Sequence, residues 1–290
     1  MIGSALLSVL HIVLELCLQC GVLLLLLPLM FWLEEDVPAL LVGRAVAPLR
    51  ERYRRFAAFW REILRTGLPL EDGLMLALGF LAVLCLAGLS LVRADVGSAL
   101  GAWLADPLLM GGILLVGAFW AVPGRFRAVH GRCCFALCLT ECFLVLAAPG
   151  VTGLQGVQRL LLAAPGSSLA GTSLCCAAAL ALTTSLPDFQ VLADEMVSRG
   201  RPASRLARDQ RQVIVSIHHV GWALLLGDLL LPVLFGLEGP AGVIGLVIRF
   251  GGGSLLVALG RLTGMSRNGR LVALLLGLAG LMALAGRFAV

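Results

Sequence analysis

Charge is scarce in this sequence, and lysine is absent altogether. Only 13% of the 290 residues are charged while 60% are hydrophobic, and the mean hydropathy is +1.00. Soluble domains carry about a quarter charged residues, so this composition excludes a soluble globular protein. Lipid must be the solvent for most of these side chains.

The motifs of self-contained active sites are missing as well. The chain has no phosphate-binding loop, no dinucleotide fingerprint, no HExxH or GxSxG motif and no iron–sulfur cysteine run. Its nine cysteines lie in or beside apolar segments without zinc-ribbon spacing, which favours buried, unpaired small hydrophobic residues over a metal site. We therefore predict no catalytic residue, metal or cofactor in this chain, and expect any catalysis on another polypeptide.

Eight apolar segments are long enough to be membrane helices. Crossing a hydrocarbon layer of about 30 Å takes about 20 helical residues, because lipid offers backbone amides no partners. The first segment lacks a basic start and is too long for a signal peptide, so we expect it to be retained. The segments are 5–33, 74–91, 107–122, 133–148, 168–186, 213–235, 241–259 and 271–288. They predict an all-α, polytopic protein with one integral membrane domain over 1–290 and eight spans, with seven or nine as alternatives.

The arginines fix the expected orientation. All 22 basic residues are arginines, and 18 of them fall in the connections after spans one, three, five and seven. Because short basic loops stay in the cytoplasm, we predict a cytoplasmic-membrane protein with both termini outside. The net charge of +5 reflects this topology and contact with anionic lipid or acidic subunits, so we expect no nucleic-acid partner.

Two connections on the basic side are long enough to carry structure of their own. Residues 34–72 place apolar side chains at three- and four-residue steps, which predicts an amphipathic cytoplasmic helix that docks a partner or only anchors at the interface. These apolar residues are Leu49, Tyr53, Phe56, Phe59, Trp60, Ile63 and Leu64. Residues 187–212 carry both signs of charge, as docking or merely solvated loops do. The predicted docking residues are Arg52, Arg55, Arg61, Arg199, Arg201, Arg205 and Arg208.

Ionisable residues inside the apolar segments are costly and therefore functional candidates. Glu15 lies one turn after His11 in span one, and Glu141 lies in span four, about two turns from its basic end. Asp228 is predicted in the middle of span six, and His218 at the cytoplasmic end of that span. Such groups can relay protons or sodium ions. The alternative for Asp228 is a structural ion pair with an arginine in span seven.

Three stretches resemble a known family, the subunit 1 proteins of complex I and their relatives in membrane-bound NiFe hydrogenases and formate hydrogenlyase. They are 140–144 (TECFL), 183–189 (TTSLPDF) with the acidic pair that follows it, and 261–271 (RLTGMSRNGRL). The eight-span layout, the amphipathic helix after span one and the charged loop after span five are similar too. The order Pro-Asp-Phe replaces Pro-Phe-Asp, Leu186 replaces an expected arginine, and Glu-Tyr-Ser-Gly is absent. These departures favour a divergent, hydrogenase-type member.

The resemblance implies a non-catalytic membrane subunit that couples a cytoplasmic electron-transfer arm to proton or cation movement. Glu141 would be the membrane carboxylate of the ion path, and Asp194 and Glu195 would receive charge at the arm. Iron–sulfur clusters, and a NiFe centre or quinone, would belong to partner subunits of the hydrogenase and antiporter-like types.

A transporter component is the alternative. Residues 193–200 (ADEMVSRG) resemble the Ala-Arg-Gly coupling helix by which energy-coupling-factor T subunits bind ATPases. The chain has one such motif where T subunits have two, and Ser198 stands in place of the usual alanine. An unrelated permease or scaffold is also open.

Overall fold

The fold is all-helical throughout the described part of the chain. The computed structural model describes residues 2–33, 48–87, 106–121, 127–147, 165–186, 205–235, 239–262 and 269–288, with single positions 39, 43, 46 and 237. The helices are α1 (Ile2–Phe31), α2 (Leu49–Thr66), α3 (Leu70–Ala87), α4 (Pro107–Ala121), α5 (Arg127–Ala147), α6 (Pro165–Ser185), α7 (Arg205–Leu230), α8 (Gly239–Leu262) and α9 (Gly269–Phe288). A short 3₁₀ turn, Pro232–Leu234, follows α7.

Each of the eight predicted spans coincides with one of these helices, and the predicted amphipathic helix is α2. Within the described ranges, three helices are long and apolar enough to cross a membrane: Leu70–Ala87, Arg211–Leu230 and Gly239–Gly260. Shorter apolar helices are Cys17–Phe31, Pro107–Trp120, Thr172–Ser185 and Arg270–Ala285. The all-α class is therefore confirmed, whereas the count of eight spans stays a prediction.

Helix α7 is the centre of the bundle. It packs against α1, α2, α3, α4, α6 and α8, and every residue from 217 to 229 is buried. Apart from His218, His219 and Asp228, its side chains there are apolar, and Trp222 is completely enclosed. A helix that is apolar all round belongs inside a structure rather than on its surface, so the sequence of α7 explains its place.

Two glycines let α7 and α8 pack backbone against backbone. A Cβ atom added to Gly227 of α7 would lie 1.9 Å from the carbonyl oxygen of Arg249, and one added to Gly253 of α8 would lie 1.8 Å from that of Ala223. No side chain fits at either position. Small residues four apart on facing helices permit this closest form of helix packing.

One end of the bundle brings together the helix ends that adjoin the arginine-rich connections. Arg211, early in α7, lies 3.5 Å from Asp72 at the start of α3 and 5.9 Å from the ring centre of Trp120 at the end of α4. The ends of α6 and α8 also meet, because a Cβ on Gly260 would lie 2.9 Å from Thr183. We call this the arginine-rich end.

Helix α2 is fastened to α1 by an aromatic cluster. The ring of Phe56 meets those of Phe31 at 6.0 Å, Phe59 at 6.3 Å and Trp60 at 6.0 Å between centroids. The hydroxyl of Tyr53 donates to the carbonyl of Leu25 at 2.8 Å. The amphipathic pattern predicted the helix itself, and the structure shows that its aromatic face packs on α1 of the same chain.

The predicted apolar face extends beyond the contact with α1, since Leu64 in the last helical turn is 84% exposed.

Candidate functional site: a polar column between α3 and α7

Three polar groups lie at successive levels of the interface between α3 and α7. The first is the pair Asp72–Arg211 at the arginine-rich end, the second is His218, and the third is the pair Asp228–Arg249. From residue 211 to residue 228 the axis of α7 rises about 25 Å, which approaches the thickness of a bilayer core. We call this set the polar column.

Asp72 is the buried member of the first pair. Its side chain is 6% exposed, whereas that of Arg211 is 52% exposed and reaches the surface of the arginine-rich end. The arginine lies beside Trp120, so it connects the first turn of α3 to the last turn of α4. The pair is the charged, solvent-facing end of the column, which we call its mouth.

His218 occupies a seat made by two glycines. A Cβ on Gly79 of α3 would lie 2.9 Å from the imidazole, and one on Gly117 of α4 would lie 2.2 Å from it. The Nε2–H of His218 donates to the carbonyl of Met75 at 2.9 Å. Because a carbonyl can only accept, this bond places the hydrogen of the neutral ring on Nε2.

The other ring nitrogen of His218 is a buried acceptor. Nδ1 has no hydrogen-bond partner among the described residues, and the side chain is buried. In the neutral ring this nitrogen holds a lone pair that can accept a proton. The column thus contains one unpaired basic atom between its two ion pairs.

The third level is an ion pair enclosed by three helices. Arg249 of α8 donates through Nη1 to Oδ1 of Asp228 on α7, and both side chains are fully buried. The guanidinium also donates to the carbonyls of Leu86 at 3.2 Å and Ala87 at 2.6 Å. Its carbon lies 4.9 Å from the ring centre of Phe235.

This geometry explains how a charge is tolerated inside the bundle. Arg249 meets the carboxylate of Asp228 and two backbone carbonyls of α3 together, and each of these three groups accepts a hydrogen bond from the guanidinium. Asp228 Oδ2 and Arg249 Nε have no partner within the described ranges, so the network is only partly satisfied.

Two predicted positions along α7 need correction. Asp228 lies two residues before the end of α7 rather than in the middle of a span, because the helix stops at Leu230 and a 3₁₀ turn follows. His218 lies well inside the helix, buried against α3 and α4, rather than at its cytoplasmic end. The ion pair left open as an alternative for Asp228 is present.

Glu141 lies apart from the polar column and faces a second carboxyl group. Its side chain lies beside that of Asp106, whose Oδ1 accepts from the amides of Leu108 and Leu109 at 2.9 and 3.0 Å. The Oε2 atom of Glu141 has no hydrogen-bond partner among the described residues. The two residues therefore form a carboxyl pair between α4 and α5.

Helix α5 begins at Arg127 rather than at residue 133, so Glu141 is about four turns from the start of the helix. The depth predicted for Glu141 within the apolar span stays a prediction. Asp106 precedes the first turn of α4, whose other end lies at the arginine-rich end. The carboxyl pair thus lies towards the opposite end of the bundle.

Several predicted site residues lie outside the described residues. Asp194, Glu195, Arg199 and Arg201 fall between α6 and α7. Glu15 in α1, and Arg205 and Arg208 in α7, lie in described helices, but their side chains are outside the description. For these seven the predicted roles stay predictions.

The arginines of α2 do not form one uniform docking face. Arg55 lies 3.3 Å from Glu51, Arg52 is half-buried and Arg61 is exposed. Partial desolvation acts to raise the pKa of Glu51, but the hydrogen bonds and charges of Arg55 and Arg54 outweigh it and leave the pKa below its ordinary value.

Sequence reasoning missed two carboxylates, Asp72 and Asp106. Both stand at the first residues of helices, where an acidic residue normally reads as a cap, so their pairing with Arg211 and Glu141 was not evident. The capping pattern Ala-Asp-Pro before α4 was the available signal for Asp106.

Metal binding has no support within the described ranges, where no three His, Cys, Asp or Glu side chains converge. All nine cysteines are unpaired, as predicted. Only two of them are buried, Cys133 and Cys175, while Cys17, Cys134, Cys138 and Cys142 are exposed on the outside of the helices. The predicted burial is therefore confirmed for Cys133 and Cys175 but not for the four exposed cysteines.

Comparison with protein-family models finds no match for this chain, and comparison with curated proteins finds none either.

Proposed function

We propose that this chain is a non-catalytic membrane subunit that couples a cytoplasmic electron-transfer arm to proton or cation movement, in a complex of the complex I, group 4 hydrogenase or formate hydrogenlyase type. The observation that carries the proposal is the polar column. It combines a charged mouth, an unpaired imidazole nitrogen and an inner ion pair along one helix interface. Structural needs alone do not call for ionisable groups at three levels of an apolar bundle.

The carboxyl pair Glu141–Asp106 supports the same proposal. Two carboxyl groups side by side can take up and release a proton on a path that continues towards the other side of the bundle. In this proposal eight spans hold the relay, both termini lie outside, and the arginine-rich end faces the cytoplasm. The arm then docks through the arginines of the second connection, with Asp194 and Glu195 at the junction.

The first test is the partner list. The chain is tagged, purified in mild detergent and analysed by mass spectrometry for co-purified subunits. Iron–sulfur or hydrogenase-type subunits together with antiporter-like subunits would support the coupling role. ATPases would favour the transporter alternative, and a chain that purifies alone would favour a permease; either result contradicts the proposal.

The second test concerns the relay itself. In inverted membrane vesicles we expect Glu141→Gln and His218→Gln to leave the complex assembled while reducing donor-driven proton or cation uptake by at least about tenfold, since general acid–base groups contribute about 10²–10⁴ in rate. Cys142→Ser, next to Glu141 but exposed, is the matched control and should keep full uptake. Normal uptake in both relay variants would refute the assignment.

A further inference from the structure

The outer face of α2 carries a row of four arginines. Arg50, Arg54, Arg61 and Arg65 are all exposed, and their steps of four, seven and four residues place them on one stripe of the helix. Two exposed alanines, at positions 57 and 58, lie in the middle of the stripe, and their short side chains leave the surface between the arginines open. We call these four residues the arginine row.

The packed face of α2 keeps the row pointing outward. Phe56 and Phe59 are buried on the opposite side, and the Tyr53 hydroxyl is bonded to the carbonyl of Leu25 in α1. Helix α2 cannot roll about its axis without breaking that bond and the aromatic cluster. The row is therefore a fixed surface and not one of several orientations of a loose helix.

Charge on this surface is largely unopposed. Arg54 lies 3.0 Å from Glu51, while the other three guanidinium groups have no acidic partner in the part of the chain that the structure describes. Guanidinium groups bind phosphate oxygens with paired hydrogen bonds. The chemistry that fits the row is thus a phosphate-bearing anion.

Two leucines beside the row indicate where that phosphate is held. Leu64 is 84% exposed and Leu70 is 90% exposed, and they flank the turn at Gly67 that joins α2 to α3. Leu70 is also the first residue of a helix that is long and apolar enough to cross a membrane. The turn therefore lies at the level where the hydrocarbon layer of a bilayer begins.

We propose that the arginine row and its two leucines bind anionic phospholipid in the leaflet at the arginine-rich end. The guanidinium groups engage the headgroup phosphates, and Leu64 and Leu70 enter the boundary of the acyl chains. An acidic protein segment would satisfy the arginines, but it would leave the two leucines in water. Lipid satisfies both features.

The sequence predicted that the arginines from Arg50 to Arg65 dock a partner, and the row divides this stretch. Arg52 and Arg55 lie outside the row, so variants at these two positions test partner docking separately from lipid binding.

The test uses the full-length protein in detergent, with phosphatidylglycerol as probe and phosphatidylcholine as the uncharged comparison. Native mass spectrometry counts retained lipid, and lipid titration gives an apparent affinity. We expect the variant with all four row arginines changed to Gln to bind phosphatidylglycerol at least about tenfold more weakly, since each arginine near an anionic surface is worth about fivefold. The matched variant with four Lys should keep most of the affinity.

Leu64→Ser with Leu70→Ser should weaken binding of both lipids while leaving the preference for the anionic one. If the Gln variant unfolds at a lower temperature than the wild type, the double variant Arg61→Gln, Arg65→Gln replaces it. Unchanged phosphatidylglycerol binding in a folded row variant would overturn the proposal. So would a row variant that keeps its lipid but loses an acidic partner protein, because the row would then be a protein-docking surface.

Discussion

Replacing Arg249 with Leu should destabilise the bundle more than almost any other single change. The substitution leaves the fully buried carboxylate of Asp228 without its partner and removes the donors that reach the carbonyls of Leu86 and Ala87. Breaking one side of a buried ion pair costs about 3–5 kcal/mol. The mirror change, Asp228→Leu, strands the guanidinium instead and should cost a similar amount.

The double variant Asp228→Leu, Arg249→Leu distinguishes the energy of the ion pair from the cost of losing each side chain by itself. With no charge left to strand, the double variant loses only the donors to the carbonyls of Leu86 and Ala87, at about 1–3 kcal/mol for each unsatisfied buried group. Arg249→Leu loses the same two donors and also strands the carboxylate of Asp228, so we expect the double variant to be more stable than Arg249→Leu. The coupling free energy between the two positions should be at least about 3 kcal/mol.

The measurement is reversible unfolding in mixed micelles, followed by near-UV circular dichroism and checked by pulse proteolysis. Arg249→Lys keeps the charge but lacks the planar fork that reaches three acceptors at once, so its stability should fall between wild type and Arg249→Leu. Ser254→Ala, a buried position on the same helix whose hydroxyl has no partner among the described residues, should stay within about 0.5 kcal/mol. Additive effects of the two single variants would refute the pairing.

The remaining predictions concern glycine contacts. Gly253→Ala should destabilise the protein by at least about 2 kcal/mol, because its Cβ would overlap the backbone of α7. Gly251→Ala, with open space around it, should be neutral or stabilising by up to about 1 kcal/mol. Equal thermal unfolding temperatures of the two variants would contradict the backbone contact. Gly117→Ala should displace the imidazole of His218 and shift its nitrogen resonances in NMR. Gly112→Ala, also in open space, should leave the spectrum unchanged. A His218 spectrum that is the same in both would show that the glycine seat does not hold the ring.

Most of the helical fold could be predicted from the sequence, since long apolar runs fix helices once lipid is the solvent. The residues at which the helices begin and end could not be predicted from these runs. Helix α5 begins at Arg127, six residues before the apolar run, because backbone hydrogen bonding continues through polar residues that the run excludes. An apolar run marks the part of a helix that lipid or core surrounds, and not the whole of it.

The site was predictable only where both partners stood out on their own. Asp228 and the arginine of α8 are each conspicuous in apolar segments, so their pairing could be suggested. Asp106 and Asp72 look like ordinary helix caps, and their partners depend on which helices are neighbours. The seat of His218 depends on two glycines from two other helices, which no pattern within α7 can indicate.

The pairing within the polar column has an electrical consequence. Asp72 with Arg211, and Asp228 with Arg249, each sum to zero charge, so in the proposed membrane orientation a transmembrane voltage exerts no net force on either pair. A potential of 100 mV does about 2.3 kcal/mol of work on one elementary charge that crosses it. His218 is the member of the column without an opposite charge beside it in the described structure. A proton arriving there would be the event that the transmembrane field can drive or oppose.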